Sequence, residues 1–434
     1  MLTINDGNIK LNKCKTVIGF DLGRTFSQIS YYKEGSEEPV TVSLVMGTQM
    51  YNIPTLLAKR PGVGQWFFGR EAAKYAENDG ILVDDLLSKA IRGEEVIVED
   101  EPYDPVALLT LFVKRSLSLL NMSVSPKDID AFMFTVEELS TRTVEVLSRV
   151  VASLQLKCKY ITYQSHLESF FSYMIHQPPE LWQGQVLALD YNECLKSMIF
   201  ECTRNTTPNV VFIHNDIHDG ITRPDFGDDE ATQKFRMHEL DEEFAKVCSD
   251  IVAGRNIQTV YLLGEGFKED WADETLKVLC KGRRAFQGNN LYSRGACYTI
   301  MDKIVPNDFT KDYVYLGDDK IKSNIGMKVL RRGEESYLAI LDAGNNWYEA
   351  TSDFEVILDE GNEISFMLTS LTGGHVTEKR ILLDGLPKRP RGTSRLHIHV
   401  ELSSVNTLIV EIEDLGFGEL IKSSGRAWTH TLTI

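Results

Sequence analysis

Two kinds of apolar spacing divide the chain. Up to about residue 304, short apolar runs alternate with segments whose apolar residues return every three or four positions. Val17 to Phe20 runs into Asp21, and Gln28 to Tyr32 leads back, which predicts a hairpin with a polar tip. Val106, Leu109, Val113, Leu117 and Leu120 recur at helical spacing behind Asp104-Pro105, a good N-cap followed by a residue suited to the first helical position. Asp130 to Val136 reads as a strand, and Val144, Leu147, Val151 and Leu154 as one face of a helix. Tyr160 to Tyr163 reads as a strand and His166 to Ile175 as a helix. Further on come a buried strand, Gln185 to Asp190, and its return, Lys196 to Glu201. A polar irregular stretch over 203–230 precedes a helix with Leu240, Phe244, Val247 and Ile251 inward. Then follow a strand, Thr259 to Leu263, and a helix from Asp270. Strands alternating with helices predict an α/β layer.

From about residue 305 the helical period stops and strict alternation begins. Ile364, Phe366 and Leu368 alternate, as do Leu396, Ile398, Val400 and Leu402, and Leu408, Val410 and Ile412. Turn residues at Gly361-Asn362, Gly373-Gly374 and Ser403 to Asn406 separate them, so this part reads as an antiparallel β-domain with one buried face. His397 and His399 share one side of a strand. Without a third ligand, an exposed polar face fits them better than a metal site.

Length, charge and cysteines narrow the classes. At 434 residues, two or three domains are expected. A hydrophobic fraction of 43% with 25% charged residues is ordinary for a globular chain with a full core. The net charge of −17 repels nucleic acid and anionic membrane, which excludes both as expected partners. The seven cysteines, Cys14 included, have irregular spacing and no C-x-x-C pair, and read as buried cytosolic thiols. No signal peptide and no run long enough to cross a bilayer are expected, so the expected location is cytoplasmic.

The hairpin tip carries the most suggestive chemistry. Gly23 lets the backbone approach an anion, Thr25 and Ser27 add hydroxyl donors, and Asp21 suits Mg²⁺ held through water. Two readings stand: a phosphate-binding turn, or an ordinary hairpin with Asp and Gly where turns want them. Lys74 taken by itself reads as a solvated lysine on a helix. The aspartates 216, 219, 225, 228 and 229 admit calcium or a solvated loop, and no EF-hand spacing is present.

Asp21-Leu22-Gly23-Arg24-Thr25 resembles the first phosphate loop of the actin-like ATPases, most closely that of the seventy-kilodalton heat-shock (DnaK-type) chaperones, whose Asp-Leu-Gly-Thr-Thr departs only at Arg24. Ile53-Pro54-Thr55 and Gly69 to Lys74 are similar to that family's next two segments. Asp190 corresponds to the aspartate of its second phosphate loop, Gly264 and the displaced Gly266 to its adenosine loop, and Leu291 to Ala296 to its closing helix. Leu383 to Gly392 resembles the crossing in the chaperones' peptide-binding sandwich, and Tyr313 to Leu316 their interdomain linker. Three departures stand out. The family's second aspartate is followed by Leu-Gly-Gly-Gly-Thr, whereas Asp190 is followed by Tyr191-Asn192-Glu193-Cys194, with all three glycines gone. The catalytic glutamate's place holds Gln164 or Ser165. The interval from Asp190 to Gly264 is roughly half the family's, implying a reduced adenine-capping subdomain.

The resemblance implies an α/β actin-like (ribonuclease-H-like) two-lobed domain over 1–304, a linker over 305–320, and an all-β sandwich over 321–434 without a helical lid. It implies ATP or ADP with Mg²⁺ as ligand. Asp21, Gly23, Arg24 and Thr25 would lie at the phosphates and metal, Lys74 at the γ-phosphate, Asp190 in support of the metal, and Gly264 and Gly266 at the adenosine. Two functions follow from it: an ATP-binding chaperone-like protein with weak or no hydrolysis, at most a slow ATPase, whose sandwich binds protein or peptide; or a pseudo-ATPase scaffold for one dedicated partner.

Overall fold

The computed structural model describes residues 16–45, 47–78, 80–158, 160–224, 229–373 and 375–434. They form two compact units. One comprises 16–203 and 211–313, and the other 314–434 with 204–210.

The first unit is built on two sheets of like plan. The first contains β1 (Thr16–Leu22), β2 (Phe26–Lys33), β3 (Val40–Thr41), β4 (Ile129–Val136) and β5 (Tyr160–Ser165), in the order β5-β4-β1-β2-β3. β1, β4 and β5 run parallel, while β2 is antiparallel to β1 and β3. The second contains β6 (Gln185–Tyr191), β7 (Cys194–Thr203), β8 (Asn209–Thr222), β9 (Ile257–Leu263) and β10 (Arg284–Gln287), ordered β10-β9-β6-β7-β8. Again the strands β6, β9 and β10 are parallel and β7 is antiparallel to β6. The chain therefore traces one topology twice.

The helices are α1 (Gly69–Ala76), α2 (Leu86–Arg92), α3 (Pro105–Leu117), α4 (Thr141–Leu154), α5 (His166–Ile175), α6 (Glu230–Val252), α7 (Asp273–Leu279) and α8 (Leu291–Ile304). α3 starts where Asp104 caps it: its carboxylate accepts the Val106 amide at 2.9 Å. α5 follows the first sheet, yet its Phe170 and Met174 pack with Val186, Ala188 and Phe200 of the second. α8 follows the second sheet, yet Ala296, Cys297, Ile300 and Ile304 pack with Val17, Ala131 and Met133 of the first. Each lobe's closing helix thus covers the other lobe's sheet. The two helices cross closely at Gly295, where a Cβ would lie 2.0 Å from the Ser169 carbonyl oxygen.

The second unit is a sandwich. Its strands are β11 (Ser323–Arg331), β12 (Glu334–Leu341), β13 (Thr351–Leu358), β14 (Glu363–Ser370), β15 (Val376–Leu382), β16 (Ser394–Ser404), β17 (Thr407–Gly416) and β18 (Ala427–Thr433). They form two four-stranded sheets, β12-β11-β14-β15 and β13-β16-β17-β18. The alternation seen in the sequence sets the inner face: Ile364, Phe366, Leu396, Ile398, Val400, Leu408, Val410 and Ile412 are all buried.

Four expectations need correction. The stretch over 203–230 is not irregular, since residues 209–222 form the long strand β8. The helix expected from Asp270 begins at Asp273. Pro105–Met122 is apolar and long enough to cross a membrane, although Val106, Leu109, Phe112 and Val113 are buried inside the fold. Of the described cysteines only Cys248 and Cys297 are buried, and Cys14 lies outside the described residues.

Candidate functional site

β1 and β6 occupy equivalent places in their sheets, and each ends in an acid one residue before its last. Asp21 sits between Thr135 of β4 and Gln28 of β2, and Asp190 between Leu263 of β9 and Lys196 of β7. Both carboxylates face a cavity of 390 Å³ between the lobes. The N-termini of α5 and α8 reach the same place, because His166 is the first residue of α5 and Tyr292 the second of α8.

These four side chains form one chain of contacts. His166 Nε2 lies 2.8 Å from Asp21 Oδ1, and the Tyr292 hydroxyl donates to Asp190 Oδ2 at 2.9 Å. The two rings stack face to face, with centroids 4.0 Å apart and planes inclined by 7°. The other Asp190 oxygen accepts from Asn192 Nδ2 at 2.8 Å. Burial by itself would push the His166 imidazolium toward neutrality, but the carboxylates of Asp21, Glu137 and Asp190 outweigh it and raise the pKa. Burial raises the pKa of Asp190 despite the Tyr292 hydrogen bond. Burial, then the Asp190 charge, holds Tyr292 well above the ordinary phenol value, so it stays a proton donor.

Further polar contacts bridge the cleft. Thr25 Oγ1 donates to Glu193 Oε1 at 3.3 Å. Lys196 pairs with Glu137, whose own pKa falls because that pair overcomes the effect of burial. Gln28 and Glu265 both bond Asn52, and Lys268 holds Glu265 at 2.5 Å.

The residues singled out in the sequence fall in different places. Asp21, Gly23, Arg24, Thr25, Asp190 and Gly264 all line the cavity. Arg24 leans outward, with its Nε 3.6 Å from Asp85 at the start of α2. A Cβ on Gly23 would lie 2.1 Å from the Phe26 carbonyl oxygen, so the hairpin itself requires that glycine. Gly264 has φ +94° and lies against Tyr191 and Asp190. Gly266 is not a lining residue. It packs under the Tyr191 ring, where a Cβ would come within 2.2 Å of a ring carbon. Lys74 is exposed on α1 and does not line the cavity either. Of the aspartates beyond residue 215, Asp216 and Asp219 reach the cavity and Asp229 caps α6, accepting from Thr232 N at 2.9 Å. Asp225 and Asp228 lie outside the described residues. His397 and His399 both approach Asp353, at 3.5 and 2.9 Å.

Sequence reasoning missed His166 and Tyr292. The available signal was the repeated arrangement of a strand ending in Asp and a later helix opening on an aromatic ring.

The donor set does not fit a magnesium nucleotide. Both oxygens of Asp190 and one of Asp21 already have partners, and the Thr25 hydroxyl is given to a carboxylate. The cavity walls carry the carboxylates of Asp21, Glu137, Asp190, Glu193, Asp216 and Asp219, against the cations of Arg24, Lys196 and Lys268 and the imidazolium of His166. An excess of carboxylates repels a triphosphate.

Residues 38–318 match the model described as the C-terminal part of a family of unknown function, DUF5716, and residues 320–434 match a domain of unknown function, DUF8552. No curated protein matches the chain.

Proposed function

Because the chain belongs to the family of unknown function DUF5716, whose description carries no activity, we propose a function from the site itself: this is a pseudo-ATPase scaffold. It keeps the frame of an actin-like, heat-shock-type protein, bridges its cleft with its own side chains, and uses its β-sandwich to bind an extended segment of a dedicated partner protein. The carrying observation is the contact chain Asp21–His166–Tyr292–Asp190, which spends on internal bonds the two acids a metal nucleotide would need. The doubled sheet topology, the exchanged closing helices and the four-plus-four sandwich support the frame.

Calorimetric titration of the full chain with Mg-ATP and Mg-ADP tests this reading. The expected result is no saturable binding up to about 1 mM, an affinity of only ~4 kcal/mol. Saturable one-to-one binding in the micromolar range would overturn it and favour the second reading, an ATP-binding chaperone-like protein, which the retained Asp21-Leu22-Gly23 turn supports.

A further inference from the structure

Among the described residues, the four outer strands of the sandwich are β12, β15, β13 and β18. An outer strand offers unpaired backbone groups to any other strand, and charge along it is the usual protection. Three of the four are protected. β12 opens with Glu334 and Glu335, β15 carries Glu378, Lys379 and Arg380, and β13 carries Asp353 and Glu355. β18 is different: Ala427-Trp428-Thr429-His430-Thr431-Leu432-Thr433 contains no Lys, Arg, Asp, Glu or Pro.

The hydrogen bonds to β17 show which groups of β18 are open. The Asp414 amide donates to the Arg426 carbonyl, and the Ile434 amide to the Asn406 carbonyl, each at 3.0 Å. Bonded and non-bonded pairs alternate along an antiparallel ladder. In the observed register, Trp428, His430 and Leu432 therefore turn their backbone groups toward β17. Ala427, Thr429, Thr431 and Thr433 turn theirs toward the open side, and all four are exposed.

We propose that β18 is the seam of a homodimer, with two copies pairing antiparallel along this strand about a two-fold axis at His430. That centre sets Ala427 opposite the second copy's Thr433 and Thr429 opposite its Thr431. All four outward-facing residues find a bonded partner, giving four pairs with two bonds each, about eight bonds in all. Trp428 then faces Leu432 across the seam, and threonine faces threonine, both favourable cross-strand pairs. The occupant is a second copy rather than a foreign strand for two reasons. The outward residues read nearly the same in both directions about His430, as a self-pair requires. In a chain of net charge −17, most surfaces of two copies repel, and this strand carries none of that charge. The two sheets of β13, β16, β17 and β18 would join into one.

Sedimentation equilibrium of the full chain over about 1–100 μM tests the seam. A strand pair of this length is a small interface, so a reversible dimer with Kd of about 1–100 μM is expected. Thr429→Pro removes an amide hydrogen that faces the open side, a position where an edge strand tolerates proline. It should give a monomer throughout that range with an unchanged melting temperature. Thr431→Glu, which leaves every backbone group in place, should weaken the dimer at least tenfold. The Thr429 and Thr431 amides should exchange more slowly as protein concentration rises. A wild-type chain that stays monomeric at 100 μM overturns the proposal. So does a dimer that survives both substitutions, and so does concentration-independent exchange at those amides.

Discussion

Arg389 holds Asp414 through both terminal guanidinium nitrogens, Nη1 and Nη2, each 2.6 Å from a carboxylate oxygen, and side-chain exposure is only 6% and 0%. The amides of Gly416 and Ser424 also donate to Asp414, so this buried charge is satisfied on every side. The pair pins the crossing of residues 386–392 to β17. Arg389→Ala leaves the carboxylate buried and unpaired, which costs about 3–5 kcal/mol. Urea unfolding of the full chain, followed at the sandwich transition, should show the loss. Arg389→Lys should recover only part of it, because lysine cannot grip both oxygens.

The same pair sets an acid limit. Arg389 first, then the Ser424 and Gly416 donors, hold the folded Asp414 carboxyl far below its ordinary value despite burial. A depressed folded pKa contributes stability that is complete above the unfolded value, about 3.9, and is lost as pH falls through the folded one. The sandwich should therefore weaken steeply below about pH 4. Asp414→Asn, already less stable at neutral pH, should show a shallower acid slope in melting experiments.

His166 titrates with the opposite sign. Its folded pKa is raised, so its contribution is complete below the unfolded value, about 6.5, and is lost as pH rises through the folded one. The difference in melting temperature between the wild type and His166→Gln should be largest near pH 6 and should shrink toward pH 9. A difference that is flat with pH would mean that the Asp21 contact carries no proton linkage.

The cleft loop offers a clean probe and a poor one. Substituting Gly23 drives a Cβ into the Phe26 carbonyl oxygen, so Gly23→Val should destabilise the hairpin whatever the cleft binds. Thr25 is exposed and makes one long bond to Glu193. Thr25→Val should change stability by less than about 0.5 kcal/mol and leave the calorimetric response to Mg-ATP as it is in the wild type.

Gly264 has φ +94°, and a Cβ there would lie 2.3 Å from the Tyr191 carbonyl oxygen. Gly264→Ala should therefore cost about 1–3 kcal/mol or more, since strain adds to the clash. Thermal unfolding of the first unit would measure it.

Much of this fold was legible from periodicity alone. β1 and β6 were visible because they are apolar runs stopped by Asp21 and Asp190. The helix His166–Ile175 kept its expected bounds because Ser165 caps it, accepting from the Glu168 amide at 3.3 Å. Three of the sandwich strands, β14, β16 and β17, declared themselves by strict alternation. β8 did not, because His214 to Gly220 is polar or exposed and shows no buried face to alternate against. The candidate site was half legible. The acids stand in recognisable strands, but a stack between His166 and Tyr292 depends on how two helices cross, and no local pattern encodes that. Lys74 and Gly266 had suitable neighbours in sequence and the wrong surroundings in space.

The exchanged closing helices bear on how the chain is made. Synthesis proceeds from the N-terminus, and domains generally fold as they emerge. Here the apolar face formed by Val17, Ala131 and Met133 receives its cover only when residues 291–304 have left the ribosome. Until then a nascent first lobe lacks the cover that α8 gives those residues. Cutting the chain between the lobes would not release two domains. It would leave two halves, each missing the piece that the other carries.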